Sequence, residues 1–195
     1  MIQINEYEIL RNAICSLKET SKSNHNGNML YMTESEVTVV NFDDVKDQYV
    51  STLSVPEAPK SNDALFVDKE GELFFVEFKA GNMEKKIYPV RKKLFDSLLI
   101  LTDIISKGIS YTREHLSYIL VYDETLNQSQ EDEVVYQVTP SREKMNSRYL
   151  KKGGREFIRF NLHSFHRLYV KHVFTLSREE FKERFTRKWE AEANC

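Results

Sequence analysis

Cysteine is almost missing from this chain: Cys15 and Cys195 are the only two in 195 residues, and Cys195 is the last residue. That scarcity argues against a disulfide framework, and no Cys-x-x-Cys metal knuckle exists. Long apolar runs are missing as well. The longest, residues 97–105, is broken by Asp103 and falls far short of the roughly 20 apolar residues a membrane helix needs. The opening Met1-Ile2-Gln3-Ile4-Asn5-Glu6 has neither the basic region nor the apolar core of a secretory signal. A cytoplasmic protein with no membrane partner is therefore expected. Glycine and proline are few, at 6 and 4, and there is no Gly-rich phosphate loop, no His-Glu-x-x-His and no Gly-x-Ser-x-Gly.

What is present describes an ordinary folded chain. Hydrophobic residues make up 41% and charged residues 30%, with 12 Phe, 10 Tyr and 1 Trp, enough apolar material to fill one core. The length fits one domain spanning residues 1–195. The net charge of −2 speaks against whole-surface nucleic-acid binding, but its distribution is uneven. Residues 1–78 hold 14 acids and 6 bases, and the remainder holds 16 acids and 22 bases. Such polarity can orient a molecule on a phosphate backbone, and it can equally arise by chance.

Helix and strand signals alternate along the chain. Asn5 followed by Glu8 resembles a capping box, opening a helix with Tyr7, Leu10, Ile14 and Leu17 on one face. Residues 20–28 read as a loop, residues 29–32 and 36–42 as strands, and residues 43–53 as a short helix. Pro56 and Pro59 keep residues 54–62 extended. A helix is expected over residues 87–107, with Pro89 in its first turn and Val90, Leu94, Leu98, Leu101 and Ile105 as its buried stripe. Residues 117–123, 157–161 and 173–176 read as strands and residues 164–170 as a short helix. Ser177-Arg-Glu-Glu180 is a capping box that opens the final helix. The pattern predicts an α/β (α+β) fold, a mixed central sheet flanked by helices.

The informative stretch is a predicted hairpin. Residues 63–68 and 73–79 are apolar runs separated by Lys69-Glu70-Gly71, with Gly71 placed for the left-handed residue of a three-residue turn. With Asp68 paired to Glu72, Asp63 falls opposite Glu77. Strand alternation puts Glu77 and Lys79 on one face with Leu73 and Phe75, and Phe74, Val76 and Phe78 on the other. Two carboxylates and an ammonium thus gather at one end of the hairpin. Magnesium is held by one or two carboxylates, with water and phosphate completing its shell. A bound divalent ion acidifies water and acts as a Lewis acid on a phosphodiester. Charges within a run this apolar are expensive unless they serve a purpose.

Asn62-Asp63, thirteen intervening residues, then Glu77-Phe78-Lys79 resembles the signature of the PD-(D/E)xK nuclease superfamily, with Asn62 in the place of its proline. The resemblance covers residues 60–122. It implies a restriction-endonuclease-like core, catalytic roles for Asp63, Glu77 and Lys79, and Mg2+ (or Mn2+) held by Asp63 and Glu77. An acid from the first helix, Glu8 or Glu19, would join them. It also implies nucleic-acid contacts, to DNA ahead of RNA, from Lys86, Arg91, Lys92 and Lys93 on the helix that follows. A nuclease this small would act with a protein partner or as a homodimer. The rival expectation is a non-catalytic nuclease-fold binding module, such as an immunity protein or antitoxin.

Other charged groups carry plainer expectations. Lys85 extends the helical cluster, which suits a solvated face as well as it suits phosphate. Lys144, Arg148, Lys151, Lys152 and Arg155 fit a solvated loop better than a strand-gripping one. His163 and His166 have the spacing of two ligands on a helix face, with His172 nearby. No carboxylate or cysteine accompanies them, so surface or interface positions are expected.

Overall fold

The computed structural model describes residues 2–25, 28–83, 86–127, 134–137 and 155–193. In chain order the elements are α1 (Glu8–Arg11), β1 (Ile14–Ser16), α2 (Leu17–Thr20), β2 (Lys22–His25), β3 (Asn28–Tyr31), β4 (Thr38–Asn41) and α3 (Phe42–Ser51). They continue with β5 (Ala64–Val67), β6 (Leu73–Lys79), α4 (Ile87–Ile104), α5 (Ile109–His115) and β7 (Leu116–Tyr122). The last are β8 (Val134–Gln137), β9 (Arg155–Ile158), β10 (His172–Ser177), α6 (Arg178–Phe181) and α7 (Arg187–Ala193).

Six strands form one mixed sheet in the order β1-β4-β5-β6-β7-β10. Pairing is antiparallel from β1 to β6 and parallel across β6, β7 and β10. Parallel neighbours need a crossover, and α4 with α5 supplies the one between β6 and β7. The mixed sheet flanked by helices is the architecture expected. Among the described residues no helix is long and apolar enough to cross a membrane.

Both faces of the sheet are covered, so its central strands are apolar in nearly every position. On one face Leu73, Phe75, Tyr118 and Leu120 pack under Val90, Leu94, Leu98 and Leu101 of α4. Each such fully buried aliphatic side chain contributes about 1.5–3 kcal/mol relative to exposure. On the other face Phe74, Val76 and Phe78 meet Phe181, Phe185 and Trp189 of the C-terminal helical segment. Trp189 stacks on Phe66 with ring centroids 4.0 Å apart. Ser177 makes the expected capping box with Glu180. A π-helical turn over Lys182–Thr186 joins α6 to α7.

Several local expectations are corrected. The first helix does not run on through Leu17. It stops at Arg11, because Ile14, Cys15 and Ser16 pair with Val40, Val39 and Thr38. Ser16 then caps a separate turn of helix, accepting from the Glu19 amide at 3.4 Å. The predicted loop of residues 20–28 contains β2, which pairs with β3. Residues 164–170 do not form an α-helix. A 3-10 turn over Leu162–Phe165 is followed by a bridge between His166 and Val170, with Arg167 at φ 59°. The helix α5 is an element that periodicity did not announce. Lys85 and residues 141–154 of the basic segment lie outside the described residues.

Candidate active site

The β5–β6 hairpin adopts the expected register. Ala64 pairs with Val76, Leu65 with Phe75, Phe66 with Phe74 and Val67 with Leu73, so Asp63 falls opposite Glu77. The turn that sets this count is closed by Asp68. Its amide donates to the Glu72 carbonyl at 3.0 Å, and its carbonyl accepts from Gly71 at 3.0 Å. Its carboxylate accepts from the amides of Glu70 and Glu72 at 2.9 and 2.8 Å. Gly71 has φ 78°, the left-handed conformation the turn requires.

Asp63 is strapped in place from two sides. The backbone leading to it is tied to α4: the Lys60 amide donates to Asp96 Oδ2 at 2.7 Å, and the Asn62 amide to Ser97 Oγ at 2.8 Å. Its own Oδ2 accepts from the Phe78 amide at 2.7 Å, leaving Oδ1 to face the cluster. Glu77 and Lys79 sit on the same strand face, and the Lys79 ammonium contacts Glu77 Oε1 directly. Lys79 also donates to the Phe78 carbonyl at 3.1 Å.

The fourth member is Lys93. The resemblance assigns this residue to nucleic-acid contact, but its side chain turns inward from α4 and bridges the two acids. Its Nζ lies 2.8 Å from Asp63 Oδ1 and 2.8 Å from Glu77 Oε1, and 3.1 Å from Glu77 Oε2. Two carboxylates are thereby balanced by two ammoniums. Glu77 is fully buried, whereas the side chains of Asp63, Lys79 and Lys93 keep 15%, 19% and 21% exposure. The cluster is thus buried at its base and partly exposed at its rim.

Burial raises the Glu77 carboxyl to about 7, with Asp63 adding to the shift and Lys79 and Lys93 opposing it. For Lys93 burial works against the charge, but Glu77 and Asp63 more than offset it and hold the ammonium well above its ordinary value. Tyr118 lies beneath the same face, and burial, Glu77 and Asp63 push its phenol well above the usual range. Its hydroxyl is buried without a hydrogen-bond partner among the described residues, as is the side-chain amide of Asn62.

The other expected residues are dispersed. Lys92 pairs with Asp96 at 2.9 Å. Arg91 donates to Ser164 Oγ at 3.3 Å and lies over the Phe165 ring. Lys86 is exposed at the start of α4. Arg91 and Lys92 line an open groove of about 740 Å3 with Ile87, Tyr88, Phe95 and Asp96. Glu8 is exposed at the start of α1 and Glu19 lies in the first turn of α2. Neither joins the pair, since among the described residues no three His, Cys, Asp or Glu side chains gather into a group that could hold a metal ion. His163, His166 and His172 are half-buried, and the rings of His166 and His172 lie 5.8 Å apart.

Sequence reasoning missed three supports of this site. Ser97 and Asp96 hold the segment that leads through Asp63 into β5, and Tyr118 floors the cluster. Only the helical phase of Ser97, in line with Val90, Leu94 and Leu101, could have placed it inward.

Of the donors a small divalent cation could use, the cluster offers two carboxylates and, among the described residues, no third His, Cys, Asp or Glu. Two carboxylates, each with one oxygen directed to a common point, match what magnesium takes from protein when water and phosphate complete its shell. That point is where the Lys93 ammonium stands. Comparison of the chain with protein-family models, curated proteins and solved structures finds no match.

Proposed function

We propose that this protein hydrolyses phosphodiester bonds of nucleic acid, DNA ahead of RNA, as a metal-dependent nuclease of the PD-(D/E)xK kind. The observation that carries the reading is the convergence of Asp63 Oδ1 and Glu77 on one cation position, with the Lys79 ammonium at its edge. Asp63 and Glu77 would hold Mg2+ or Mn2+. When bound, such an ion acidifies a water and draws charge from the phosphate. The chain's own residues do the rest. The Phe78 amide and the Asp96 and Ser97 contacts fix Asp63, so the carboxylate needs little reorganisation to act. Lys79 sits where an ammonium orients the attacking water and offsets charge growing on the phosphate. Arg91 and Lys92, along the groove on α4, supply phosphate contacts that position a strand without reading its sequence.

Lys93 favours a second reading. A pair of acids already neutralised by their own lysines is complete without metal, as suits a nuclease-like fold kept as a partner-binding module. A single experiment separates the two. Purified protein is given plasmid and single-stranded DNA or RNA with Mg2+ or Mn2+, beside Lys79→Ala, with circular dichroism to check folding. The nuclease reading expects cutting by the wild type and a loss of at least about a hundredfold in the variant. Equal inertness of both, with the fold intact, sinks it.

A further inference from the structure

We infer that Lys93 is a built-in counter-ion of the acid pair, and that a divalent metal enters only by displacing its ammonium from Asp63 and Glu77. The inference rests on the nuclease reading in one respect, that these two acids are the metal ligands. Its basis is geometric. The Lys93 Nζ makes contacts of 2.8 Å to Asp63 Oδ1 and 2.8 Å to Glu77 Oε1, which is the place a shared cation must occupy. An ammonium and a divalent ion cannot both stand there, because their repulsion at such a distance in a buried site is severe.

Of the three side chains Lys93 is the most exposed. Asp63 is pinned through Oδ2 by the Phe78 amide, and Glu77 is fully buried and held by Lys79. Lys93 projects from α4 on a four-carbon stem and keeps 21% exposure, so part of its side chain already meets solvent. Displacement would carry its charge to the rim of the site, on the same helix as Arg91 and Lys92, which line the groove. The freed ammonium then faces phosphate, so metal and an anionic strand each favour the other's binding, as reciprocal linkage demands. The free protein holds metal weakly because Lys93 competes for the same oxygens. No covalent bond changes: one ammonium leaves the acids and one divalent ion arrives, so the cationic charge at the acids rises by one while the displaced ammonium stays on the chain.

The test is Mn2+ binding to the metal-free full chain, read by electron paramagnetic resonance and by thermal shift. Lys93→Met is expected to bind Mn2+ at least tenfold tighter than the wild type and to gain more melting temperature from it. Equal or weaker binding by the variant overturns the exchange. Should Lys93→Met not fold without metal, the wild type decides by 15N-lysine NMR with Mg2+. The Lys93 ammonium should be protected from exchange without metal and lose that protection as Mg2+ is added. An unchanged ammonium at saturating Mg2+ overturns the inference and leaves the nuclease reading standing. Failure of both wild type and variant to bind either ion sinks the inference together with the metal site on which it rests.

Discussion

The fully buried Glu77 carboxyl lies across the β5–β6 pair from Asp63, and the Asp63 carboxylate adds to the cost of ionising Glu77. The two lysines offset that cost, and the balance leaves Glu77 raised to about 7 by burial first and Asp63 second. A carboxyl raised above its ordinary value makes the fold bind a proton more tightly than the unfolded chain does.

Glu77 therefore contributes stability that is fully present below its ordinary value of 4.5 and is lost as pH rises through about 7. In Glu77→Gln that titration is gone. The stability difference between wild type and variant should shift against the wild type by on the order of 3 kcal/mol between pH 4.5 and pH 8. Urea unfolding at a series of pH values measures it. A difference that stays flat across that window would show that the lysines hold Glu77 ionised throughout.

The turn beneath that pair is equally open to test. Gly71 at φ 78° occupies a conformation in which a Cβ is strained. Gly71→Ala should lower stability by about 1 kcal/mol or more, seen as a lower urea midpoint with an unchanged slope. Since this turn sets the register that brings Asp63 opposite Glu77, the same variant should also bind Mn2+ less tightly. Unchanged stability would mean that the turn re-forms without the left-handed residue.

The hairpin was legible in the sequence because its determinants are local: an apolar alternation, a glycine three residues after Asp68, and two runs long enough to count. The helix α4 was legible for a similar reason, its stripe from Val90 to Ile105 repeating over more than four turns. What escaped is decided at long range. Ile14 to Ser16 carry a helical phase continuous with Leu10, but hydrogen bonds to residues 38–40 make them a strand, and no local pattern records those partners. In the sequence Lys93 is one of several basic residues near the start of α4, suited to phosphate as much as to a solvated face. Its inward turn depends on how α4 lies over β6, bringing it against residues 16 and 30 positions away. Periodicity assigns a side chain to a face of its own helix; it does not say what that face meets.

Tyr118 offers a case where deletion of a polar atom should be harmless. Its hydroxyl is buried with no hydrogen-bond partner among the described residues, and leaving such a group unsatisfied costs about 1–3 kcal/mol. Tyr118→Phe should leave the melting temperature unchanged or raise it. A fall of several degrees would reveal that the phenol is bonded, through water, to the Glu77 and Asp63 cluster whose charges it feels.

His172 sets an acid limit far from the acid pair along β10. Burial, with His166, Lys171 and Arg167 adding to it, lowers its imidazole to about 4. A lowered base favours the neutral ring in the fold, so its stability is fully present above the ordinary value of 6.5 and is lost as pH falls through about 4. His172→Gln removes the ionisation that drives this loss. The variant should unfold at a lower pH than the wild type in an acid titration followed by circular dichroism, even where the two differ little in stability at pH 7. The ring stands 5.9 Å from Phe174 and 5.8 Å from His166, centroid to centroid, so a second proton there meets both an apolar wall and a basic neighbour. If instead both proteins unfold at the same acid pH, protonation of His172 is not what opens this end of the sheet.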